Sequence, residues 1–160
     1  MNKVLLAAVL AAGLAVASGC ADKRDGHPAV MIAPTIKTRV TGLHFDTGDR
    51  VGLTILRGSE TYAANHPMTY EGAAFSGSGL LWYSDLNAKS TLTAYYPYSE
   101  EASADASQLA FTLAARQTQA SAGDSSHLGG ADFLVAGAAA SPTGDFAALT
   151  FRHAFAVVEV

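Results

Sequence analysis

One thiol carries the most specific chemistry in the chain. Cys20 is the only cysteine, and it closes the string LLAAVLAAGLAVASGC. Lys3 and the amino terminus make a short positive start, and residues 4–16 an apolar run of signal-peptide length. Ala17, Ser18 and Gly19 then precede Cys20. Small-small-small-Cys after such a run is a lipobox layout, in which the thiol is acylated and the peptide is cut before it. Ala17 departs from the Leu that the motif prefers. The alternative is a plain secretory leader with an incidental cysteine. The position of the one cysteine at the cleavage site favours lipidation at Cys20.

The other polar residues make no catalytic pattern. His27, His44, His66, His127 and His153 show no metal-site spacing, so no metal is expected. FSGSGLL (75–81) lacks the G-x-S-x-G frame of a nucleophile elbow and reads as a bend. Asp46 and Asp49 flank Gly48 without the further oxygen ligands of a calcium loop, so they read as a turn. Glu100 and Glu101 are adjacent and point apart on an extended chain. Trp82, Tyr83, Tyr95, Tyr96 and Tyr98 offer either a sugar-stacking platform or cross-strand packing. No phosphate loop or dinucleotide turn is present. No enzyme and no cofactor are expected.

Composition narrows the partners. The formal net charge is −4 over 160 residues with no basic run, which gives no electrostatic footprint for nucleic acid. With its thiol committed to lipid, the domain holds by packing without disulfides.

The elements that would position these residues are short and extended. After a polar tether at 20–28 come AVMIAPTI (29–36), HFDTGDRVGLTIL (44–56) and a short piece at 68–70. LLWY (80–83), TLTAYYPYS (91–99), QLAFTLAARQ (108–117), ADFLVAGAAA (131–140) and FAALTFRHAFAVVEV (146–160) follow, with turn signals between them. Pro34 marks the first as an edge strand, residues 37–42 read as a small polar loop, and residues 57–72 as a long polar connection. The pattern predicts an all-β sandwich or barrel. The chain stops inside its most apolar strand, so it reads as a fragment.

Several pieces in order are familiar: FDTGDRVGL (45–53), LLWYS (80–84), TLTAYYPYS (91–99), ARQTQ (115–119), GGADFLVAG (129–137) and LTFRHAFAVVEV (149–160). The chain resembles the fimbrillin-like lipoproteins of Bacteroidetes, the Mfa-like and FimA-like subunits of the type V pilus. It departs from them at Arg116-Gln117, where the family often has Asp-Gln. The resemblance implies a Greek-key β-sandwich of transthyretin-like topology, the N-terminal domain of a two-domain pilin. The expected organisation is a lipoprotein signal peptide at 1–19, a tether at 20–28 and the domain at 29–160, incomplete at its C-terminus.

The resemblance also implies a function. Such precursors are carried to the outer membrane by their lipid, and an arginine-specific protease removes the first strand. A neighbouring subunit then donates a strand into the groove, a form of β-augmentation. The strand expected to be displaced is 29–36, with Val30, Ile32 and Ile36 as groove fillers. Arg39 is the expected scissile residue, with Lys37 and Arg50 as neighbouring possibilities. The implied partners are other pilus subunits, the outer membrane, and a host or bacterial surface receptor. The alternative is a surface lipoprotein that binds glycan or protein without polymerising.

Overall fold

The computed structural model describes residues 27–37, 44–85, 87–103, 108–112, 121, 132–141 and 146–155. Seven strands run through them: β1 (Ala29–Lys37), β2 (Arg50–Arg57), β3 (Glu60–Tyr70), β4 (Phe75–Leu81), β5 (Ser90–Tyr96), β6 (Leu134–Ala140) and β7 (Ala147–His153). They close into a barrel in the order β1-β4-β3-β2-β5-β6-β7. The expected Greek-key sandwich is thereby overturned, although the β content is as expected. Two separate sheets would need open edges, and here the first and seventh strands pair in parallel, from Ile32 opposite Ala147 to Lys37 opposite Arg152. That ladder joins what would otherwise be two edges.

Alternation builds the strands that pair most regularly. β5 reads Ser-Thr-Leu-Thr-Ala-Tyr-Tyr, with Leu92 and Ala94 buried, Thr91 exposed and Thr93 half-buried. It ladders along its whole length with β6. β7 buries Ala147, Leu149 and Phe151 at every second position. Val30, Ile32, Val51, Leu53, Ile55, Met68, Phe75, Trp82 and Leu134 meet these in one core. An aromatic group fills one part of it: the Phe45 ring lies 4.9 Å from Phe75 and 5.1 Å from Phe151, both edge-on.

β3 replaces the expected long polar connection. Gly58 and Ser59 make a two-residue turn from Arg57 to Glu60, with Gly58 at φ +63°. A positive φ at the first turn position alone suits a glycine-led hairpin turn. β3 then buries Ala63 and Met68, five residues apart. An odd spacing cannot come from a regular strand. The register between β2 and β3 shifts beside Asn65, which has φ +44°. A bulge there changes which side chains face inward. Residues 108–112 join no strand, and 113–117 of that expected strand lie outside the described residues. The same holds for 156–160 of the last one.

Candidate functional site

β1 is the element on which closure depends. Its Ala29, Met31 and Ile32 pair with Leu81, Ser76 and Phe75 of β4, across a register shift. Its residues 32–37 pair with β7. Ile32 alone belongs to both ladders. β1 therefore runs between β4 and β7 rather than along an edge, and Lys37 is its last residue rather than part of a loop. The edge expectation survives in one respect. Beyond Ile32 the β4 side of β1 carries no ladder, and Pro34, which lacks an N–H, lies in that stretch.

The three expected groove fillers are on this strand. Val30 and Ile32 are buried at 0% and 1% exposure, and Ile36 is half-buried against the core. Through its register Ile32 sits beside Phe75 and Ala147, and Ile36 beside Phe151. Just before the strand, the Pro28 carbonyl accepts a hydrogen bond from the Trp82 N–H at 2.9 Å. Cys20 and Arg39 lie outside the described residues. Arg50 is held in β2, paired with Thr69. Its guanidinium covers the Tyr98 ring at 4.6 Å and its carbonyl accepts the Tyr98 N–H.

β4 is irregular where it faces β1. It bonds to β3 only through Thr69–Ser76 and Tyr70–Phe75. Residues 77–80 stand between its β1 partners Ser76 and Leu81. Gly77 is required here by space, since a Cβ would come within 2.5 Å of Met68 Sδ and 2.9 Å of the His66 ring. His66 is in register with the fully buried Leu53. Its Nε2 is buried with no hydrogen-bond partner, and burial lowers its pKa from 6.5. The folded chain then binds that proton more weakly than the unfolded chain. Stability is complete above about pH 6.5, falls as pH drops through that value, and levels off below the folded pKa. The urea midpoint of a His66→Asn variant is expected to change less than that of the parent between about pH 7.5 and about pH 5.

The aromatic group is mostly core. Trp82, Tyr83 and Tyr95 are 1%, 7% and 4% exposed. The Tyr95 hydroxyl lies 2.7 Å from Asn65 Oδ1 and 2.9 Å from the Ser99 carbonyl, while Asn65 Nδ2 donates to Ser99 and Ala102 carbonyls. The Tyr96 hydroxyl donates to Asp49 Oδ1 at 3.3 Å. Burial and the neighbouring Asp49 raise its pKa, so it holds its proton. Among the described residues, Trp82, Tyr83 and Tyr95 fill and lace the barrel rather than present their faces outward.

The Asp46–Asp49 segment is a turn, as expected: the Asp46 N–H donates to Asp49 Oδ2 and the Asp49 N–H to the Asp46 carbonyl, each at 2.9 Å. One pairing had no sequence signal. His153 Nδ1 lies 2.6 Å from Asp132 Oδ1, because the β6–β7 ladder sets Leu134 opposite His153. The contact ties the end of β7 to the approach to β6. Among the described residues no three His, Cys, Asp or Glu side chains converge as a metal site would require.

Residues 38–160 match the sequence pattern of the fimbrillin-like family. No curated protein matches the chain. Among solved structures, a fimbrial protein from Bacteroides ovatus is 22% identical with a TM-score of 0.48, covering 79% of this chain and 27% of its own. A proposed cell adhesion protein from the same species is 22% identical with a TM-score of 0.49, covering 80% of this chain and 53% of its own. One from Bacteroides uniformis is 22% identical with a TM-score of 0.48, covering 78% of this chain and 48% of its own. The chain thus spans between 27% and 53% of the length of these structures. On the match over residues 38–160, the chain belongs to the fimbrillin-like family.

Proposed function

We propose that the chain is a pilus-type adhesion subunit of the cell surface, delivered as a lipoprotein through Cys20 and assembled by exchange of β1. One observation supports the reading above the rest: among the described residues, β1 alone joins β4 to β7. Its removal would leave a single slot with a strand edge on each side, walled by Phe75, Leu149 and Phe151. Unpaired backbone along both edges is costly, so the slot favours another extended strand. Cleavage after Arg39 would release β1 together with the lipid on Cys20. Other subunits of the same assembly would supply the replacement strand, and a surface receptor would be met by the assembled fibre.

The test is limited digestion of the full-length, exported protein with an arginine-specific protease. The expected product begins at Val40 and forms detergent-resistant ladders, and an Arg39→Ala variant stays whole and monomeric. A parent protein that is cut elsewhere, or that is trimmed without ever associating, would sink the proposal.

A further inference from the structure

The parallel ladder between β1 and β7 ends with Lys37 opposite Arg152. Both residues are exposed, and paired residues on neighbouring strands project from the same face of a sheet. Neither has an ion-pair partner among the described residues, where the pairs are His44–Asp46 and His153–Asp132. Like charges set directly opposite each other destabilise a strand pair. The repulsion falls where β1 is least held, since residues 33–37 are laddered to β7 only.

We propose that the slot occupied by β1 selects its replacement by charge: an extended strand with apolar side chains at the positions of Val30, Ile32 and Ile36 and a carboxylate at the position of Lys37, where Arg152 receives it. This rests on the strand-exchange reading above. The resident strand meets Arg152 with a repulsive cation, and the incoming strand meets it with a complementary anion. Exchange then runs towards the strand with the acid. Apolar positions decide whether a strand fits, and position 37 decides which fitting strand prevails.

The test cuts the full-length chain with the arginine-specific protease in the presence of fluorescent nine-residue peptides of residues 29–37, so that they compete for the slot as it opens. One peptide ends in Lys as in the parent, the other carries Lys37→Glu, and both are C-terminally amidated so that no terminal carboxylate confuses the comparison. Uptake is followed by anisotropy at low salt. The Glu peptide is expected to bind about three- to tenfold more tightly than the Lys peptide. The preference should shrink at about 1 M salt and reverse on an Arg152→Glu protein. Equal uptake of the two peptides, or a preference unchanged by Arg152→Glu, would overturn selection by charge and leave strand exchange standing. If neither peptide enters, strand exchange itself falls, and charge selection with it.

Discussion

Ile32→Ala is expected to lower stability by about 3 kcal/mol, since truncation of a buried Ile leaves a cavity in addition to the lost transfer energy. Ile32 is 1% exposed and is the one residue of β1 in both ladders, opposite Phe75 and Ala147. The cavity would open at the joint that closes the barrel. Thr35 makes the natural control: it is exposed on the same strand, and Thr35→Ala should stay within about 0.5 kcal/mol of the parent. Urea unfolding of the full chain checks both. A loss below about 1 kcal/mol for Ile32→Ala would mean that β1 is not anchored at this position. Against a usual total of about 5–15 kcal/mol the expected loss is large.

Gly52→Ala should cost about 2–3 kcal/mol, for the opposite reason. A Cβ there would run into the Tyr95 ring and come within 2.5 Å of Asn65 Oδ1. Those two side chains hold the bulge of β3 to the residues after β5 through the Ser99 and Ala102 carbonyls. Overpacking would force either the ring or the amide out of place and leave polar atoms unpaired. Gly137→Ala is the matched control on β6, where the new Cβ would meet only the Leu92 carbonyl, at 3.8 Å. That change is expected to be neutral or slightly stabilising. A thermal melt that places the two variants together would refute the packing argument.

The sequence was most legible where strands alternate. β1, β5 and β7 are marked by inward Val30 and Ile32, by Leu92 and Ala94, and by Leu149 and Phe151. β3 was hidden because the bulge at Asn65 breaks the period on which the reading depends. β4 reads as a bend, since its Ser and Gly residues carry no strand signal, and Gly77 is there to clear room for Met68 and His66. Barrel closure had no local sign at all. It rests on a parallel pairing between Ile32 and Ala147, and no short-range pattern reports a contact so distant in the chain. For the same reason Lys37 reads as a loop residue, although it is the end of a ladder.

That distant pairing also bears on the order of folding. Strands β2 to β7 can assemble through the β2–β3 and β5–β6 ladders and their neighbours, whereas β1 needs both β4 and β7 in place before it has two flanks. Loop-closure entropy makes contacts of long sequence separation late and slow. β1, the first of the described strands to leave the ribosome, is therefore expected to be the last of them to dock. A newly made chain would pass through an interval in which six of the described strands are formed and the place of β1 is vacant. If strands are exchanged as proposed, the rate at which β1 docks would set how long a rival strand has to claim its place.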